Sequence, residues 1–187
     1  MYSDRWRETD EQPDPLPKRT LRLTGVFVAV VLAGLIGAWL FDSGSAEEAT
    51  IGQPAPAFEV RGLEDGETFT LQEVVASSDG PIVLNLMASW CAPCREEIPE
   101  LSAFADSRSD VTVVGVDVED SFGDFTQFMA DVQPTYLVGF DEGAMRANYQ
   151  TLGLPATFIL DSNGVIVDVF NGILDRSILE GLVDDVS

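Results

Sequence analysis

The run Asn85-Leu86-Met87-Ala88-Ser89-Trp90-Cys91-Ala92-Pro93-Cys94-Arg95-Glu96-Glu97-Ile98-Pro99 decides how the chain is read. Its first residues close a short apolar segment, Pro81 to Met87, with the composition of a buried strand. From Cys91 to Ser107, Ile98, Leu101 and Phe104 recur at helical spacing, so the run also opens a helix that Pro99 is expected to kink. Cys91 and Cys94 thus fall at a strand-to-helix junction, and they are the only two cysteines in 187 residues. Three-residue spacing on a helix start lets two sulfurs close a small, readily reduced disulfide. Unpaired N–H groups and the positive end of the helix dipole favour a thiolate at Cys91. Cys94, one turn further in, is placed as a shielded resolving sulfur. Pro93 is tolerated because first-turn N–H groups have no intrahelical partner. The competing readings are a structural disulfide and a Cu(I) or Zn pair. A structural bond would join distant segments, and metal sites recruit His, Met or further Cys.

Composition narrows the chemistry further. The absence of histidine removes Ser-His-Asp and Cys-His catalysis, His-ligated zinc and a histidine pH switch. Two cysteines cannot build a four-cysteine zinc site or a multi-disulfide scaffold. A net charge of −22 argues against nucleic-acid binding, which needs clustered Lys and Arg. Outward from the cysteines the pattern alternates. Ala57 to Val60 and Thr68 to Thr70 flank the turn signal Leu63-Glu64-Asp65-Gly66 and predict a hairpin, followed by one or two helical turns over Leu71 to Ala76. Val111 to Asp117 reads as a buried parallel strand, and Phe122, Phe125, Phe128 and Met129 step along one helix face. A short helix is expected over Glu142 to Thr151, then strand Ala156 to Leu160, an Asn163-Gly164 turn, strand Val165 to Phe170, and a closing helix Arg176 to Val183. The fold class is therefore α/β, a mixed central sheet flanked by helices with an N-terminal β-hairpin extension.

The charge is unevenly spread. Residues 1–22 carry five acids and five bases, with Pro13, Pro15 and Pro17 among them, and read as a disordered cytoplasmic tail. Residues 23–41 carry no charge, and as a helix they would extend about 28 Å, close to the hydrocarbon thickness of a bilayer. Lys18, Arg19 and Arg22 precede this segment while Asp42, Glu47 and Glu48 follow it, so the positive-inside rule places the N-terminus in the cytoplasm. The expectation is a single-pass anchor in the cell membrane, residues 42–50 as a linker, and an extracytoplasmic domain over 51–187; the residues beyond Phe41 carry 27 acids and five bases. A cleaved signal peptide ending near Gly44-Ser45-Ala46 is the rival; its n-region would be unusually long.

From Ile51 to about Val183 the chain resembles membrane-anchored thioredoxin-fold proteins of the TlpA/ResA group, within the wider redoxin superfamily. The resemblance rests on the quoted run Asn85 to Pro99, on Ile51-Gly52-Gln53-Pro54-Ala55-Pro56-Ala57-Phe58, and on Gly153-Leu154-Pro155-Ala156-Thr157-Phe158-Ile159-Leu160-Asp161. It implies a thiol–disulfide oxidoreductase with Cys91 and Cys94 as the redox-active pair and a cis peptide before Pro155. It further implies Trp90, Leu154 and Pro155 as substrate-binding positions, Leu154 offering free backbone groups to an extended peptide. Asn85 stands where ordinary thioredoxins carry a buried Asp that assists proton transfer, which an amide cannot do. Glu97 matches a glutamate near the active site of ResA-like proteins and could act as the base, its pKa raised by burial; the bland alternative is a first-turn acid favoured by the helix dipole. No cofactor and no metal is implied. Partners implied are protein disulfides, apocytochrome c thiols among them, and a membrane thiol–disulfide electron carrier. The same motif could serve a thiol oxidase or isomerase. A thiol peroxidase would want Thr where Ala88 stands, and a Cu(I) chaperone would want more ligands than four Met and two Cys supply.

Overall fold

Residues 48–63 and 67–186 are described in the computed structural model, and they belong to one compact unit, Ala46–Ser187. The expected tail and membrane span, most of the linker and the tip of the hairpin turn (64–66) lie outside the described residues. Among the described residues no helix is long and apolar enough to cross a membrane.

The hairpin forms as expected: β1 (Glu59–Gly62) pairs antiparallel with β2 (Thr68–Thr70). Thr70 then ends the strand and starts α1 (Leu71–Ser77) with a capping box: its hydroxyl accepts from the Glu73 N–H, and the Glu73 carboxylate accepts from the Thr70 N–H at 2.8 Å. The apolar run becomes β3 (Ile82–Met87), buried at every position, and leads into α2 (Ala92–Ser107). The helix continues across Pro99, which lies on its exposed face, where the carbonyl that loses its partner can be hydrated. The other elements are β4 (Thr112–Asp117), α3 (Phe122–Val132), β5 (Leu137–Phe140), α4 (Met145–Tyr149), β6 (Ala156–Leu160), β7 (Ile166–Asn171) and α5 (Arg176–Asp184).

Two elements differ from the sequence expectation. β5 lies in a stretch to which the pattern assigned nothing; its four residues are too few to show a period. It pairs parallel with β4 and antiparallel with β1, and so joins the hairpin to the sheet. Gly139 permits this closure, because a Cβ there would press on Val60 and Phe69. The helix expected over Glu142 to Thr151 shrinks to Met145–Tyr149. Gly143 at φ 121° breaks it before its start, and Gln150 in the left-handed region ends it.

The sheet order is β2-β1-β5-β4-β3-β6-β7, with β3, β4 and β5 parallel and β6 and β7 antiparallel. Parallel β3 and β4 need helical crossovers, which place helices on the faces of the sheet. Ile82, Leu84 and Leu86 of β3 pack into one core with Val74 of α1 and Met145 and Tyr149 of α4. Val83 shares a second core with Leu101 and Phe104 of α2 and Leu179 and Val183 of α5. Met87 reaches a third, with Ile98 of α2 and Phe125, Phe128 and Met129 of α3. The two cysteines belong to this third cluster, above the carboxyl end of the central strands.

Candidate active site

β3 ends at Met87 and the chain turns through Ala88, Ser89 and Trp90 before α2 begins. Cys91 is the N-cap, with φ −80° and ψ 99°, and its Sγ accepts the Cys94 N–H at 3.1 Å. The sulfur thus takes the place of a capping oxygen at the positive end of a 16-residue helix. Cys91 and Cys94 are joined as a disulfide with their Cα atoms 5.3 Å apart. Sequence reasoning placed Cys94 as the shielded sulfur, and it is 0% exposed; Cys91 is nearly as covered, at 2%. The exposed group is Trp90, at 60%. Leu154, half-buried, packs against the cluster that holds both sulfurs, and the Leu154–Pro155 peptide is cis. Pro155 is buried, and its carbonyl accepts the Gly172 N–H at 3.1 Å. The structure thus brings the disulfide and Leu154 together in the third core, with Trp90 preceding Cys91 and Pro155 following Leu154 in the chain.

Glu97 lies one turn behind Cys94, fully buried under the site. Its Oε1 accepts from Asn85 Nδ2 at 2.7 Å and its Oε2 from the Leu174 N–H at 3.1 Å. Asn85 Nδ2 also donates to Thr157 Oγ1 at 3.0 Å. The two accepted hydrogen bonds favour the anion and burial opposes it; burial dominates and pushes the carboxyl up to about 7. No hydrogen bond among the described residues joins this carboxyl to either sulfur. A raised value means that the folded state holds a proton the unfolded chain has lost. The stability this contributes is complete below pH 4.5 and is lost as pH rises through about 7.

Sequence reasoning missed a second polar group at the site. Ser89 donates its N–H and its hydroxyl to Asp120, at 2.5 and 2.8 Å, and its carbonyl accepts from Arg95 Nε at 3.2 Å. The Arg95 guanidinium lies 4.5 Å over the Phe128 ring, so the turn before Cys91 is held from both sides. Asp117 and Asp120 carried a signal: an acid ending the apolar run Val111 to Asp117 is unusual unless something holds it. Among the described residues no group of three or more His, Cys, Asp and Glu side chains is arranged to hold a metal ion.

Thioredoxin-like protein YneN of Bacillus subtilis is 31% identical over 168 residues, covering 87% of this chain and 96% of that protein. Thiol-disulfide oxidoreductase ResA of Bacillus cereus is 25% identical over 175 residues, covering 91% and 99%. Among solved structures, dsbF of MTB, determined in mixed oxidised and reduced forms, superposes with a TM-score of 0.62 at 26% identity, covering 76% of this chain and 98% of that one. The fold is therefore thioredoxin-like. Residues 51–169, from the lead-in into β7, match the AhpC/TSA family, and the chain belongs to it.

Proposed function

We propose that the chain is a membrane-anchored thiol–disulfide oxidoreductase that reduces protein disulfides outside the cytoplasmic membrane. The observation that carries this reading is the Cys91–Cys94 disulfide at a helix N-terminus in a chain with no other cysteine. The reduced pair delivers two electrons. The Cys91 thiolate attacks one sulfur of the substrate disulfide, and the other substrate sulfur leaves as a thiolate and takes a proton. Cys94, deprotonated, then attacks Cys91 Sγ, releases the second substrate thiol and leaves the pair oxidised. Trp90 and the Leu154 backbone are the positions from which an extended substrate is held beside Cys91. An oxidising compartment requires electrons to be resupplied, and the anchor at 23–41 would bring the domain to a membrane thiol carrier. The disulfide form of apocytochrome c, reduced to its thiols, is the substrate suggested by the ResA-like character. A peroxidase is disfavoured because buried Ala88 supplies no hydroxyl near Cys91.

The test is electron transfer in a closed system. The reduced chain mixed with a protein disulfide should yield two substrate thiols for each Cys91–Cys94 pair oxidised; no transfer above the uncatalysed rate would end the reading.

Glu97 fits the base that accepts the Cys94 proton, since a carboxyl near 7 exchanges protons readily at neutral pH. Glu97→Gln is expected to shift the apparent pKa of the reduced pair, read from the pH dependence of Cys91 alkylation, by about one unit. An unchanged profile would remove Glu97 from the mechanism.

A further inference from the structure

Asp117 closes β4 opposite Met87, with its side chain fully buried. Its Oδ1 accepts the main-chain N–H groups of Glu119 and Asp120 at 3.3 and 3.2 Å, whereas Oδ2 finds no donor among the described residues. The side chain that approaches it is another carboxyl, that of Asp120. Asp120 is in turn the group that accepts both donors of Ser89, two residues ahead of Cys91. An ionised carboxylate buried beside a second, half-buried one is disfavoured by repulsion, and a buried acceptor without a donor is costly. One proton between them removes both problems: it cancels a charge and supplies the missing donor.

We propose that Asp117 keeps its carboxyl proton and donates it to Asp120, and that this pair is a positioning device that fixes the Ser89-Trp90-Cys91 turn through Ser89. The surrounding charges are engaged elsewhere. Glu119, in the same loop, is ion-paired with Arg146 of α4. Asp141, after β5, gives its N–H to the Asp117 carbonyl at 2.8 Å and uses its own Oδ2 to accept from the Met145 N–H. Arg95 of α2 is directed to the Ser89 carbonyl and to Asp131. No cation among the described residues is hydrogen-bonded to the Asp117 carboxyl. Burial first, and Asp120 next, push that carboxyl up to about 8. The pair therefore keeps its proton at neutral pH and loses it in mildly alkaline solution. Loss of the proton sets two negative charges side by side beneath the turn, and the repulsion frees Ser89.

The purpose of the device rests on the disulfide-exchange reading, because the turn carries the attacking sulfur; the retained proton does not. The test separates them by using the full-length chain in its oxidised form, without substrate, so that neither thiol titrates. Trp6→Phe and Trp39→Phe leave Trp90, inside the turn, as the only tryptophan. Trp90 emission in this background is expected to change with a midpoint near 8, the value to which Asp117 is pushed. Asp117→Asn, whose amide donates to Asp120 at every pH, should abolish the transition. Asp120→Asn removes the like charge and should lower the midpoint by about one pH unit. Glu97→Gln should leave it in place. A Trp90 signal flat through this range, a midpoint unmoved by both aspartate substitutions, or a transition lost in Glu97→Gln would each overturn the proposal.

Discussion

Replacing Cys91 with serine is expected to lower the rate of protein-disulfide reduction by at least about 10³-fold. A serine hydroxyl at neutral pH is almost entirely protonated and has no oxidation chemistry with a disulfide, so the first step has no nucleophile. The loss is expected on kcat rather than on binding, because Trp90 and the Leu154–Pro155 loop, the proposed substrate-binding positions, are untouched. Cys94→Ser should behave differently. The Cys91 thiolate still attacks, but nothing resolves the mixed disulfide, and turnover stops after one covalent event. The measurement is the release of substrate thiols with time. Comparable multiple turnover in Cys91→Ser and in the unsubstituted chain would contradict the assignment of the attacking sulfur.

The second large effect is on stability. Phe125→Ala is expected to destabilise the oxidised domain by about 3–5 kcal/mol, against a total of about 5–15 kcal/mol for a typical domain. Phe125 is fully buried in the cluster that includes both cysteines, with its ring centroid 5.7 Å from Phe140 of β5 and 6.0 Å from Phe122. Truncation loses the transfer energy of the ring and leaves a cavity between α3 and the sheet, which the rigid backbones on either side cannot close. Phe122 is half-buried at the rim, where Arg61 lies 3.6 Å over its ring, and Phe122→Ala should cost distinctly less. Urea unfolding of both variants checks the ranking, and equal losses would place the core elsewhere.

Much of this was legible in the sequence where a strong local pattern and the tertiary environment agreed. The stretch from Pro81 to Ser107 combined a short apolar strand, a cysteine at a helix start and a helical face at Ile98, Leu101 and Phe104, and each feature is found in place. β5 was not legible, because Leu137–Phe140 is held as a strand by β1 and β4 rather than by its own periodicity. The shortness of α4 depends on two positive-φ residues, Gly143 before its start and Gln150 at its end, of which only the glycine is a sequence signal. At the site, the chemistry of the sulfurs could be read from spacing, but the neighbours of Glu97 could not. Asn85, Thr157 and the Leu174 N–H come from β3, β6 and the segment before α5, and only the folded sheet brings them together. The same holds for Ser89 and Asp120, which lie 31 residues apart.

The central claim is that Cys91 and Cys94 form a reducing dithiol, and its most direct test is the equilibrium potential of that pair. The reduced and oxidised fractions of the full chain, measured against a buffer of known potential, are expected to give a value more negative than about −150 mV, in the range of reductants and interchange proteins. A value above about −150 mV, approaching that of strong periplasmic oxidants, would contradict the reductase account and reverse the direction of electron flow.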